Sequence, residues 1–181
     1  NVQFDLINET LMLQTFGFSK SNILTSSNYC SDDVKKYIYI VLQSKYIANE
    51  EMPVSTESII ICDNEYKYYT IPIILIKTVL LHILTNLKKY TKKLSDKYSI
   101  KLEFLQDSIS FTFTNEIDYD SIINDRQGRG NEMCKDIVDV INSHYDLQKL
   151  KISKIDYSFD PRPSTKESLN KYNTSLIINY I

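Results

Sequence analysis

Glycine is scarce in this chain: three residues in 181, with four prolines, a single alanine (Ala48) and no tryptophan. Cysteine is scarce too, and Cys30, Cys62 and Cys134 are widely spaced and odd in number. That spacing gives neither a zinc motif nor a disulfide framework, so a reducing cytoplasm is the expected compartment. Two histidines, His82 and His144, with no Cys/His cluster exclude a structural transition-metal site. No apolar run approaches the roughly 20 residues of a membrane span. The nearest, residues 71–87, is interrupted by Lys77, His82, Thr85 and Asn86 and predicts a buried helix with a polar stripe. The start lacks a signal-peptide pattern. A net charge of −2 speaks neither for nor against an anionic partner.

What is present suits a soluble globular chain: 43% hydrophobic and 24% charged residues. Its length fits one domain with a small N-terminal appendage. The expected division is residues 1–28, an N-terminal segment and Ser/Asn-rich linker without assignment, and a domain over 29–181. Asn1, not Met, opens the chain, as in a piece of a longer polypeptide. The abundance of Ile, Lys, Asn and Tyr reflects AT-rich coding.

Ser31-Asp32-Asp33 predicts a helix start, with Val34, Ile38, Val41, Leu42 and Tyr46 at helical spacing up to Pro53. Residues 58–62 read as a short strand, which a turn at Asp63-Asn64 joins to residues 66–70 as a hairpin. Pro72 opens a long helix extended to about Lys97. Ile100, Leu102 and Phe104, then Ile109, Phe111 and Phe113, alternate in two stretches joined at Gln106-Asp107, an antiparallel hairpin with one buried face. Residues 116–129 are polar and without period, a loop. Residues 131–143 are helical, with Met133, Cys134, Ile137, Val138 and Ile141 inward. Residues 147–159 alternate again, and 175–181 close as a strand. No β-α unit repeats, so the expected class is α+β: a two-layer α/β sandwich with a mixed, mostly antiparallel sheet covered on one face by helices.

Two constellations carry chemistry. Two of the three glycines stand at Gly128-Arg129-Gly130, just before a helix, where the backbone can approach a ligand closely and unpaired N–H groups face an anion. Upstream, His82, Asn86, Lys89 and Tyr90 stand at i, i+4, i+7 and i+8, on one helical face. An Asn carbonyl suits Mg²⁺, a Lys suits phosphate, a Tyr packs near a base or ribose, and a His can hold or accept a proton. Taken alone, that face reads more readily as a solvated surface, with His82 an ordinary half-buried histidine and Lys88 to Lys93 a surface charge run.

Together these residues resemble a known family. Thr85-Asn86-Leu87-Lys88-Lys89-Tyr90-Thr91 is similar to the N-box of histidine kinases and the wider GHKL ATPases (the Bergerat fold). The segment from Gly128 to Val138 is similar to their second glycine box. The element order over about Ser31 to Ile181 agrees. The resemblance implies Asn86 as the Mg²⁺ ligand, Lys89 and Tyr90 as nucleotide contacts, and His82 as the polar or proton-accepting, catalytic group near the phosphates. It further implies that Gly128, Arg129, Gly130 and Asn131 wrap the phosphates and that Asn115 reads the base.

Two departures stand out. The first glycine box, Asp-x-Gly-x-Gly, is replaced by Phe113-Thr114-Asn115-Glu116-Ile117, and Asn131 replaces the usual Leu. The implied function is a Mg·ATP-binding catalytic domain of a histidine-kinase-like, two-component signalling protein, passing a phosphoryl group to a histidine on another domain or chain. The alternative is a degenerate member serving as a docking, dimerisation or phosphotransfer-adaptor module without turnover. The implied partners are ATP and a histidine-bearing phosphoacceptor, with a homodimer formed through regions outside this chain. The basic cluster at residues 88–93 has the composition of a phosphate contact, but an acidic pI of 5.7 and the lack of a second basic patch point to no nucleic-acid partner. No membrane contact is expected. Asp118, Asp120 and Asp125 match no calcium-loop spacing and read as a solvated acidic loop.

Overall fold

The computed structural model describes residues 25–44, 59–63, 67–91, 98–117, 129–161 and 171–181. The elements, in order, are strand β1 (Ser26–Tyr29), helix α1 (Ser31–Gln43), β2 (Ile59–Asp63) and β3 (Tyr69–Pro72). A π-helical stretch, Leu75–Leu80, runs directly into α2 (Leu81–Tyr90). Strands β4 (Tyr98–Phe104) and β5 (Ser108–Asn115) precede α3 (Gly130–His144), which a 3₁₀ turn (Leu147–Leu150) links to β6 (Ile152–Phe159) and β7 (Tyr172–Tyr180).

Five strands form one sheet in the order β2-β4-β5-β7-β6, antiparallel except for the β2–β4 pair. The fold is therefore α+β with a mixed, mostly antiparallel sheet, as the patterning predicts. Period-2 alternation sorts the two faces. Ile100, Leu102, Phe104, Ile109, Phe111, Phe113, Leu176 and Ile178 are buried, facing the apolar stripes of the helices. On the opposite face Lys101 pairs with Glu103 and Lys154 with Asp156. A bulge between Ile152 and Lys154 changes the phase of β6, so that Ile152 and Ile155 are both buried. The Asn142 carboxamide clamps that irregularity, donating to the Ile155 carbonyl at 2.6 Å and accepting from its N–H at 3.0 Å.

Several local expectations change. β2 and β3 form no hairpin: β2 runs parallel to β4, while β3 pairs antiparallel with β1. The described part of the supposed linker is thus partly strand. The cap of α1 is Cys30, not Ser31: the Cys30 N–H donates to the Asp33 carboxylate at 3.0 Å and its thiol does so at 3.2 Å. The Ser31 hydroxyl instead donates to Asp63. The long helix ends at Tyr90, where Thr91 turns extended and both its N–H and its hydroxyl bond to the Leu87 carbonyl, at 3.1 and 2.5 Å. Thr91 also bridges to Ile117, which ties the end of α2 to the exit of β5. Lys88 belongs to no surface charge run. It is only 4% exposed, and its ammonium donates to the Val41 and Ser44 carbonyls at 3.2 and 2.6 Å. Those carbonyls lie at the C-terminal end of α1, where a cation satisfies acceptors that the helix leaves unpaired.

Candidate functional site

At one end of the sheet the inward-facing pattern turns from apolar to polar. After Ile109, Phe111 and Phe113, the next residue of β5 on that face is the buried Asn115. Its cross-strand partner on β7 is Tyr172, and Tyr157 lies two strands away on β6. The N-terminus of α3 and the middle of α2 come to the same place.

Asn131, in the first turn of α3, is the centre of the arrangement. Its amide nitrogen donates to the Tyr172 hydroxyl at 2.8 Å. Its carbonyl accepts from the Tyr157 hydroxyl at 3.0 Å and from the Asn86 amide at 3.3 Å. Asn86 also donates to His82 Nε2 at 2.8 Å, one turn earlier on α2. A carboxamide has two N–H hydrogens, and both of Asn86's point to acceptors. Its carbonyl oxygen is left with no partner among the described residues. A flip of Asn86 alone would set that oxygen against the Asn131 carbonyl, a repulsive pair.

Because His82 Nε2 accepts, its ring proton belongs on Nδ1. Half-buried, the imidazole is held below its ordinary pKa by desolvation, which keeps it neutral and able to accept. Burial pushes the Cys134 thiol up to about 12 and the Tyr172 phenol to about 12, and it raises the Tyr157 phenol strongly. All three keep their protons at neutral pH.

Gly130 opens α3, and its φ lies outside the left-handed region. Glycine is needed here for space. A methyl at Gly130 would lie 2.0 Å from His82 Nε2 and 2.1 Å from its Cε1. The side chain that approaches this backbone so closely is the chain's own histidine.

The structure therefore brings His82, Asn86, Gly130 and Asn131 into mutual contact, with Asn115 beside Tyr172. Lys89 is exposed and stacks over the half-buried Tyr90 ring at 5.0 Å, at the end of the same helix. Arg129 is the exposed N-cap of α3. Gly128, and Asp118, Asp120 and Asp125, lie outside the described residues. Sequence pattern alone does not single out Tyr157 or Tyr172 as site residues, although both bond to Asn131. Tyr157 shares the inward phase of β6 with Ile155, and Tyr172 that of β7 with Leu176 and Ile178. Beginning the last strand at Ser175 hid the second.

The donor set suits a hard cation at Asn86, whose one uncommitted polar atom is an oxygen. Around it, α3 supplies N-terminal N–H groups without intrahelical partners. Among the described residues no cluster of three or more His, Cys, Asp or Glu side chains could hold a metal. Any cation here would take the remainder of its ligands from a bound phosphate and water.

No protein-family model matches this sequence, and no curated protein does. Solved structures do. Acinetobacter baumannii histidine kinase AdeS matches with a TM-score of 0.51 at 16% identity, over 97% of this chain and 75% of that one. The catalytic domain of histidine kinase ThkA matches with a TM-score of 0.50 at 14% identity, over 86% of this chain and 97% of that one. At such identities the likeness is one of fold: this chain has a fold of the histidine-kinase catalytic-domain type. Among the described residues no helix is long and apolar enough to cross a membrane.

Proposed function

We propose that the domain, taken as residues 29–181, binds Mg·ATP and serves as the catalytic part of a histidine-kinase-like signalling protein, passing a phosphoryl group to a histidine on another domain or chain. The observation that carries this reading is Asn86: both its N–H groups are held, its carbonyl is uncommitted, and it sits beside the N-terminus of α3. In this reading Asn86 offers that oxygen to Mg²⁺. Lys89 and Tyr90 contact the nucleotide, Asn115 accepts a hydrogen bond from the base, and Gly128 to Asn131 approach the phosphates. Bound Mg²⁺ would neutralise phosphate charge, and the chain's own residues would contribute mainly position and electrostatics. His82, neutral and beside Asn86, is suited to orient polar groups and to accept a proton. Cytoplasmic placement is part of the same proposal.

A specific observation favours the second reading, a docking or phosphotransfer-adaptor module without turnover. The His82 ring occupies the space over Gly130 that a phosphate would approach. Thermal melting with and without Mg·ATP separates the two. Ligand at about 100 times its Kd adds about 2.7 kcal/mol of stability, and Asn86→Ala should remove the Mg-dependent part of that gain. No shift at millimolar Mg·ATP decides for the docking module.

A further inference from the structure

A metal ligand that is a carboxamide has an orientation problem. Rotated by a half-turn, Asn86 would present N–H where it now presents oxygen, and no cation accepts that. His82 cannot make the choice by itself, because a neutral imidazole accepts at one ring nitrogen and donates at the other, so its two tautomers suit opposite amide orientations. The Asn131 carbonyl can only accept. It is itself held from two sides: the Asn131 amide donates to the Tyr172 hydroxyl, and its oxygen receives the Tyr157 hydroxyl. The leucine usual at this place in the glycine box would offer no acceptor at all.

Resting on the nucleotide-binding reading above, we propose that Asn131 is a positioning residue: its carbonyl holds the Asn86 carboxamide in the orientation that leaves the Asn86 oxygen free for the cation of a bound Mg·nucleotide. Its carboxamide then aims the metal ligand, while the backbone of the same helix start approaches the phosphates. This role belongs to the side chain, and it explains why a polar residue is tolerated where the helix start meets the sheet. Every polar atom of the Asn131 carboxamide is engaged, so its presence adds no unsatisfied group to the interior.

The test is the affinity for ATP in Mg²⁺ and in EDTA, measured by calorimetry on wild type, Asn131→Leu and Asn131→Asp. The carboxylate of Asn131→Asp keeps an acceptor facing Asn86. Asn131→Leu should lower the Mg²⁺-to-EDTA affinity ratio by roughly 3- to 10-fold, the worth of one hydrogen bond, with binding in EDTA little changed. Asn131→Asp should restore the ratio. A purely structural role would lower both affinities together and would not be rescued. An undiminished ratio in Asn131→Leu overturns the inference and leaves the nucleotide reading standing. Wild type that binds ATP in neither condition overturns the nucleotide reading. In that case, Asn86 side-chain amide protons held in the nitrogen-15 spectrum of wild type and released in Asn131→Leu assign the failure to that reading. Protons unaffected by the substitution assign it to the inference as well.

Discussion

Replacing Gly130 with alanine places a methyl 2.0 Å from His82 Nε2 and 3.3 Å from its Cδ2, well inside contact distance. The backbone tolerates the change, since Gly130 is the first residue of a helix and has no left-handed φ. His82 must therefore move. Moving it breaks the 2.8 Å bond with Asn86, a loss of about 0.5–1.5 kcal/mol. It also forces the ring off its rotamer or away from its packing, at about 0.5–1.5 kcal/mol more. Alanine returns a few tenths through helix propensity, less at a first turn than the ~1 kcal/mol of a helix interior. The expected net loss is about 1–2 kcal/mol, a Tm lowered by roughly 2–8 °C for a chain of this size. The decisive measurement is a double-mutant cycle by urea unfolding. In a His82→Ala background the ring atoms at 2.0 and 2.1 Å are gone and no other atom comes closer than 3.3 Å, so Gly130→Ala should become neutral or slightly stabilising, with a coupling of about 1–2 kcal/mol. Equal destabilisation in both backgrounds would refute the contact as the reason for this glycine. The same geometry warns that a valine at this position strikes His82 before it obstructs any phosphate, so Gly130→Val reports cleanly on phosphate approach only when His82 is already small.

Other substitutions test neighbouring parts of the argument. Lys88→Ala should cost about 2 kcal/mol in urea unfolding, because two carbonyls at the end of α1 lose a charged donor, whereas the exposed Lys89→Ala should stay within about 0.5 kcal/mol; equal effects would contradict the buried assignment of Lys88. Asn142→Ala should cost about 2–3 kcal/mol, since it frees both backbone groups of Ile155 beside the bulge, and a loss under 0.5 kcal/mol would show that the clamp is idle. The Asp33 carboxyl is held below its ordinary pKa chiefly by the Cys30 N–H and then by the Cys30 thiol. A lowered folded-state pKa means that this contribution is complete above the unfolded value of about 3.9 and fades as pH falls through the folded one, so the stability gap between wild type and Asp33→Asn should narrow below about pH 4; a gap that widens there has the wrong sign for the capping interaction.

The elements easiest to read from sequence were those with one buried face and a strict period. β4 and β5 alternate without interruption, so their limits and their pairing fell within a residue or so of the structure. Residues 131–143 repeat at helical spacing with equal clarity. β2 was harder for a physical reason: Ile59, Ile60 and Ile61 are apolar in succession, and an unbroken apolar run indicates neither a face nor a partner. Asp63-Asn64 supplied a local turn signal, and the local reading joined β2 to β3. The actual partner, β4, lies some forty residues away and is chosen by tertiary packing. Lys88 misleads because a run of lysines resembles a solvated face, and only the approach of α1 reveals that one of them serves as a cap.

The candidate site shows the same division between local and non-local information. His82 and Asn86 share a helix face, and Gly130 and Asn131 share a helix start, so each pair could be found by spacing alone. What joins the pairs is absent from both segments. Tyr157 and Tyr172 arrive from the last two strands, in phase with isoleucines and leucines, at the rows where the buried face of the sheet runs out of aliphatic residues. There a phenol serves both needs: its ring continues the apolar layer, and its hydroxyl meets a polar group that the helices bring to the edge. Tyrosine in such a phase therefore marks where a buried sheet face becomes a polar site. By that rule Tyr180, at the opposite end of β7, follows the same logic in a structural setting: its ring packs on Tyr69 at 5.7 Å while its hydroxyl donates to the Thr70 carbonyl at 3.0 Å. The difference between the two ends lies in the acceptor. Tyr180 ends on a backbone carbonyl of β3, which closes the structure, whereas Tyr157 ends on Asn131 and, through it, on Asn86, whose carboxamide oxygen has no partner among the described residues.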